Sequence, residues 1–434
     1  MMKTVRILLL CVAAAIAGLL AGACTHDEPE EVSLENYQAS SASKSGFTVI
    51  SESDCDACET DWNCYDFQPC EDDRTKATYT NMVSMATGIL SSAVSRHVHQ
   101  VIGSYRSTDI HGNPITVSGK IFYPKSGDIR NVILASHYTI GANFECPSES
   151  YSFEGIYAAY GYAVVIADYI GFGITRQEIH PYLQSEACAR NVIDMGLAAI
   201  PFLKERGLKI EDDSVILLGY SQGGACTLHV QRMLEQSEEY AGVLKIKKNY
   251  CGAGPHDIAK TYDYSIKQDK TGIPCAIPMI VQGMSIGMSK PLDMSYFFRE
   301  PLKSNYKDWL NSKNYTVPQI SALIGKDSLS EILTDEGCDK TREETARFYM
   351  ELKGNSIPTD YYPVAPLFLF HSQDDQTVPF LNSQIVLRQI RQGKELAKEL
   401  GTDYNPVVEY DFGHYGDHQS GATKFFLTVL NELK

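Results

Sequence analysis

Residues 214–225, Ser214-Val215-Ile216-Leu217-Leu218-Gly219-Tyr220-Ser221-Gln222-Gly223-Gly224-Ala225, lie at the middle of a 434-residue chain, and their reading decides the fold. An apolar run without polar alternation suits a strand buried on both faces. It ends at Ser221, and the spacing from Gln222 to about Ser237 is helical. The prediction is strand, sharp turn, helix. Gly219 and Gly223 belong beside the serine because the turn strains its backbone and leaves no room for neighbouring side chains. The new helix directs its positive end at the hydroxyl. A bare G-x-S-x-G says little, but between a buried strand and a helix it makes Ser221 a candidate nucleophile rather than a structural turn residue.

Working outward, similar short aliphatic runs occur at 132–136, 163–168, 243–249, 367–371 and 407–410. Helical periodicity lies between them, with Ile193, Leu197, Ile200 and Leu203 in one segment and with further segments at 384–400 and 422–433. Alternating strands and helices predict an α/β fold: a mostly parallel central sheet flanked by helices on both faces. Residues 257–357 break the rhythm with Met, Tyr and charged residues, including helical stretches at 280–288 and 341–353. This stretch is expected to be a helical insertion. Its Met279, Met284, Phe297 and Phe298 suit either an acyl pocket or a core of its own.

Further motifs flank the central turn. Residues 137–141 read HYTIG and are followed by Cys146-Pro147-Ser148. Residues 161–169 read GYAVVIADY and are followed by Gly171-Phe172-Gly173 and by His180-Pro181-Tyr182-Leu183. Together with the G-x-S-x-G turn they resemble the secretory lipase and carboxylesterase branch of the α/β-hydrolases over roughly residues 100–434. The resemblance implies a helical cap over 257–357, a Ser-acid-His chain order, and ester cleavage through an acyl-enzyme without a metal or organic cofactor. Residues 367–379, LFLFHSQDDQTVP, look like the family's H-G-x-x-D-x-x-V-P with Ser372 in place of glycine, which puts the acid at Asp375 and leaves Asp374 as a turn residue. The base falls in residues 407–418, VVEYDFGHYGDH. His418 opens a stretch that looks like the family's run into its final helix, whereas His414 follows a glycine as in many hydrolases and is the alternative base.

The oxyanion needs two backbone donors, each worth about 3 to 4 kcal/mol in the transition state. Gln222 supplies one, and the resemblance of His137-Tyr138-Thr139 to H-G-x assigns the other to Thr139. Asp168, Tyr169 and His180 are expected to fix loops. A peptidase of the same fold acting on chain ends, or a non-catalytic ligand-binding lipoprotein, would share much of this pattern.

Lys3 and Arg6 precede an apolar run at 7–20 and the small residues Ala21-Gly22-Ala23, the pattern of an export signal at 1–23. Leu20-Ala21-Gly22-Ala23-Cys24 resembles the lipobox of bacterial lipoproteins, which implies acylation of Cys24 and a membrane anchor. An ordinary cleaved leader is the alternative. Thr25 stands where an inner-membrane retention aspartate would, implying the outer membrane, and Asp27, Glu28, Glu30 and Glu31 suit display on the cell surface. Residues 24–45 read as a flexible tether. A cysteine-rich stretch follows at 46–75, and the hydrolase domain proper is expected at 76–434.

Of 12 cysteines, Cys11 lies in the leader and Cys24 at the anchor. Cys55, Cys58, Cys64 and Cys70 suit two local bridges better than zinc, which prefers two tight pairs. The six others suit buried thiols or disulfides equally. The net charge of −16 becomes −18 once Lys3 and Arg6 are removed. A surface so acidic argues against a nucleic-acid partner.

Overall fold

A computed structural model describes residues 45–56, 97–125, 127–150 and 153–434. The expected leader, Cys24, nearly all of the tether and most of the cysteine-rich stretch, including Cys58, Cys64 and Cys70, lie outside the described residues.

The described strands are β1 (Thr48–Asp56), β2 (His97–Thr108), β3 (Pro114–Pro124), β4 (Asn131–Ser136), β5 (Tyr162–Ala167), β6 (Val215–Tyr220), β7 (Ile246–Gly252), β8 (Leu367–Ser372) and β9 (Val408–Gly413). They form one sheet in the order β1-β2-β3-β5-β4-β6-β7-β8-β9. The first three are antiparallel, as is the join of β3 to β5, and every pairing from β5 through β4 to β9 is parallel. Strands β4, β5, β6 and β8 are buried along their whole length, which accounts for their unbroken aliphatic sequences.

Helices cover both faces. On one face, α2 (Ser185–Glu205) and α3 (Gln222–Gln236) pack Ile193, Met195, Phe202, Val230 and Met233 against Val132, Leu134, Val165 and Leu217. On the other, α1 (Ile156–Ala159) and α13 (His418–Leu433) pack Tyr157, Phe425 and Val429 against Ile133, Ile166, Ile216 and Phe370. Burying several such side chains at about 1.5 to 3 kcal/mol each holds the sandwich of layers together. Helix α12 (Leu381–Leu400) follows β8 and sets Val386 and Ile390 against Leu367 and Leu369.

Two expectations shift. Strand β7 begins at Ile246 and runs to Gly252, later than the predicted 243–249, because Tyr250 and Cys251 continue its buried face while Val243 stays in the turn before it. The sheet also begins ahead of residue 76: β1 is its edge strand, and Phe47 is fully buried against Phe202.

The insertion at 257–357 is helical, with α4 (Ile258–Gln268), α5 (Ala276–Ile286), α6 (Met294–Phe297), α7 (Leu302–Asn311), α8 (Val317–Ile324), α9 (Leu329–Ile332), α10 (Asp335–Cys338) and α11 (Glu343–Gly354). Met279, Met284, Phe297 and Phe298 all lie in the buried cluster of these helices with Tyr262, Phe348 and Leu352, so of the two readings of those residues the geometry favours the cap's own core. Cys146, Cys188, Cys226, Cys251, Cys275 and Cys338 are free thiols. No helix among the described residues is long and apolar enough to cross a membrane.

Candidate active site

The turn between β6 and α3 is as tight as its glycines require. A Cβ on Gly219 would sit 2.1 Å from the Gly223 carbonyl oxygen, and one on Gly223 would sit 2.0 Å from that of Ser136. Ser221 adopts φ 59° and ψ −123°, a region L-residues rarely occupy, and its amide donates to the Gly252 carbonyl on β7. Backbone strain of this kind costs on the order of 1 to 3 kcal/mol and persists only where the surroundings impose it. Packing of α3 tightly beneath the sheet imposes it here.

Three elements distant in sequence converge on this serine. The Ser221 Oγ lies 2.7 Å from Nε2 of His418, the first residue of α13. The His418 Nδ1 lies 2.5 Å from Oδ2 of Asp375, in the turn after β8. The other oxygen, Oδ1, accepts the amides of Thr377 and Val378, each at 2.9 Å. Burial alone would raise the Asp375 carboxyl. Opposing it, the nearby His418 and the imidazole of His371 hold it well below the usual carboxylate range. Asp375 is therefore ionised at neutral pH and fixes the tautomer of His418 that carries its proton on Nδ1, leaving Nε2 to accept the serine proton.

His418 is held by more than its side chain. Asp417 caps α13 by accepting the Ser420 amide, and the Tyr220 hydroxyl donates to the His418 carbonyl at 2.7 Å. His414 lies elsewhere: it is exposed, and its Nδ1 pairs with Oδ1 of the equally superficial Asp374 at 2.7 Å. The two consecutive aspartates thus hold two different histidines, and only the Asp375–His418 pair meets Ser221.

The Gln222 amide is the first of α3, and a helix leaves its leading N–H groups without intrahelical acceptors. Thr139 follows β4 in the loop facing that helix and is buried, its hydroxyl paired with that of Tyr182 at 2.8 Å. Among the described residues, no cluster of His, Cys, Asp and Glu could hold a metal ion.

The comparisons with known proteins agree with this architecture. The model of the secretory lipase family matches residues 156–400, more than half of the chain. The chain belongs to the secretory lipase family. It is accordingly a carboxylic ester hydrolase, and the family's name fits an exported protein. The rice cell wall degrading esterase LipA from Xanthomonas oryzae superposes with a TM-score of 0.66, at 20% identity over 80% of this chain and 92% of that one. Candida antarctica lipase A in its closed state gives 0.56, at 15% identity over 85% and 77%. A protein from Legionella pneumophila gives 0.67, at 21% identity over 78% and 89%. At these identities the likeness speaks for the α/β-hydrolase fold alone. No curated protein matches the chain.

Supporting residues of this family member surround the site. His180 donates from Nδ1 to the Ile170 carbonyl, and its Nε2, 2.9 Å from the Gln222 side-chain nitrogen, accepts from it. Burial keeps His180 neutral by pushing it well below its ordinary value, so it can act as that acceptor. Asp168 receives the Ser148 amide at 2.8 Å and the Ser118 hydroxyl at 2.5 Å, tying the loops after β4 and β5 to β3. His137 packs against Tyr169 at a tilt, with ring centroids 4.0 Å apart. Sequence reasoning passed over His371, whose Nε2 lies 3.6 Å from Asp375 and whose Nδ1 pairs with Ser383. The H-x-x-x-D spacing on one strand end was its only signal.

Proposed function

We propose that this enzyme cleaves carboxylic esters with Ser221 as nucleophile, His418 as general base and acid, and Asp375 as the group that orients the imidazole. Ser221 Oγ bonds to the carbonyl carbon while His418 Nε2 takes the hydroxyl proton. The carbonyl becomes an oxyanion held by the amides of Gln222 and Thr139. Collapse of that intermediate breaks the ester bond and returns the proton from His418 to the departing alcohol. Water then repeats the sequence on the acyl-enzyme and releases the acid. The observation that carries this reading is the unbroken chain of contacts from Ser221 through His418 to Asp375, at 2.7 and 2.5 Å, on a strained and buried turn.

Turnover of a short-chain aryl ester tests it. Ser221→Ala should lower kcat by roughly a millionfold and abolish labelling by a fluorophosphonate. Retained turnover in a correctly folded variant would overturn the assignment.

We further propose that the mature chain begins at an acylated Cys24 and is tethered through residues 24–45 to the outer membrane, with lipidic or small-molecule esters as substrates. Support comes from the leader and from the lipobox-like segment before Cys24, while the net charge of −16 speaks against nucleic-acid partners. Incorporation of an alkynyl fatty acid, lost in Cys24→Ser, is the expected result. Equal labelling of both proteins would remove the anchor from the proposal.

A further inference from the structure

Lys313 is out of place for a surface cation. It stands between α7 and α8 of the cap, is 6% exposed, and adopts φ 60°, a conformation that favours glycine or asparagine. Buried ammonium groups are normally paired. Among the described residues, no carboxylate lies within ion-pair reach of this one, and its ammonium sits over the face of Phe172, 4.8 Å from the ring centroid. Burial accordingly lowers its ammonium to about 8, so most of the charge survives at neutral pH.

It packs against the loops that follow β4 and β5, one of which carries Thr139 and the other the histidine that reaches Gln222. The Lys313 carbonyl accepts the Asn143 amide in the segment that follows Thr139. Phe172 packs on His180 with centroids 5.0 Å apart, and His180 in turn grips the side chain of Gln222. The titratable groups around it offer no compensating negative charge. His180 and His137 are both shifted toward the neutral form by burial, and the Glu145 carboxylate turns to the amides of Gly141 and Ala142. A desolvated positive charge, held on strained backbone and lacking an anionic partner among the described residues, suits an anion that arrives with the substrate.

We propose that Lys313 forms an anion subsite beside the oxyanion loops, and that the preferred substrate is an ester bearing a carboxylate or similar acidic group on its acyl or alcohol portion. This rests on the ester-hydrolase reading of Ser221. The same charge disfavours a substrate held by a free terminal amine, which separates this subsite from one built for N-terminal peptides.

Paired substrates test it. For the acyl side, 4-nitrophenyl hexanoate is compared with the adipate half-ester; for the alcohol side, methyl 4-acetoxybenzoate is compared with 4-acetoxybenzoate. In the wild-type protein, kcat/KM for the anionic member should exceed that of its neutral partner in one pair by on the order of 10- to 100-fold, the range of a charge-assisted hydrogen bond. The pair that responds identifies the side that carries the charge. Lys313→Met should collapse that ratio to near one, and Lys313→Arg should retain part of it. Parity or a preference for neutral esters in the wild-type enzyme would overturn the subsite, as would an unchanged ratio in Lys313→Met. The wild-type comparison decides even if the methionine variant fails to fold. Loss of the underlying reading looks different, since neutral-ester turnover would then persist in Ser221→Ala.

Discussion

Acid should destabilise this protein through buried histidines outside the Ser221–His418–Asp375 contacts. His229 on α3 and His256 after β7 are buried at 2% and 1% exposure, and the Nδ1 atom of each is buried without a hydrogen-bond partner. Burial pushes both down to about 3. In the unfolded chain each would titrate near 6.5, so between these values the unfolded state binds more protons, and stability must fall as pH falls. At pH 5 the unfolded state gains RT ln(1 + 10^1.5), about 2 kcal/mol per histidine. The folded value hardly enters this figure so long as it stays below about 4. Together the two sites contribute about 4 kcal/mol of lost stability from pH 8 to pH 5, a large share of the roughly 5 to 15 kcal/mol typical of a whole domain.

Glu145 works in the opposite direction. Burial raises it to about 7, so its uptake of a proton favours the folded state as pH falls below that value. Total stability against pH is therefore a mixture, and the informative quantity is a difference of differences. Urea unfolding at pH 8 and pH 5 should show His256→Gln losing about 2 kcal/mol less than the wild type over that interval, and likewise His229→Gln. Equal losses in wild type and both variants would refute the reasoning, because the buried neutral imidazoles would then not be the source of the acid sensitivity.

Five substitutions, four of them in two paired comparisons, follow from the site itself. His418→Ala should reduce kcat on an aryl ester by roughly 10^4-fold or more, whereas His414→Ala should remain within about tenfold; steady-state kinetics of both variants check this, and the reverse order would move the base to His414. Asp375→Asn should cost about 10^4-fold by favouring the wrong imidazole tautomer, while Asp374→Asn should cost little, and comparable losses in kcat would count against separate roles. Gly223→Ala should yield little soluble, fluorophosphonate-reactive protein, since its Cβ would collide with the Ser136 carbonyl oxygen; a normal yield of reactive enzyme would show that β4 and α3 can part.

The parallel half of the sheet was legible because strands such as Val215–Tyr220 are buried on both faces and have no option but continuous apolar sequence. The edge was not. Strand β1 reads TVISESDCD and pairs on one side only, with its exposed Asp54 engaging His99 and Lys125, so its polar sequence fell within the cysteine-rich stretch rather than the sheet. The choice between His414 and His418 turned on which loop residue faces inward, and Asp417 capping α13 is what turns His418 toward Ser221. The grip of His180 on Gln222 spans 42 residues and arises only when the loop after β5 meets α3. Nothing in local spacing announces such a contact. The same holds for Lys313, which reads as an ordinary surface lysine until the cap is laid over the two loops.

The separation of 197 positions in sequence between Ser221 and His418 carries a consequence for biogenesis. A chain emerging from the ribosome, or from an export channel, presents the proposed nucleophile long before the imidazole proposed to activate it. The entire cap and strands β8 and β9 must follow before α13 can bring His418 into place. If Ser221 and His418 act together as proposed, every partial product would be chemically silent, and the cell would be shielded from the enzyme until delivery of the polypeptide had passed that histidine.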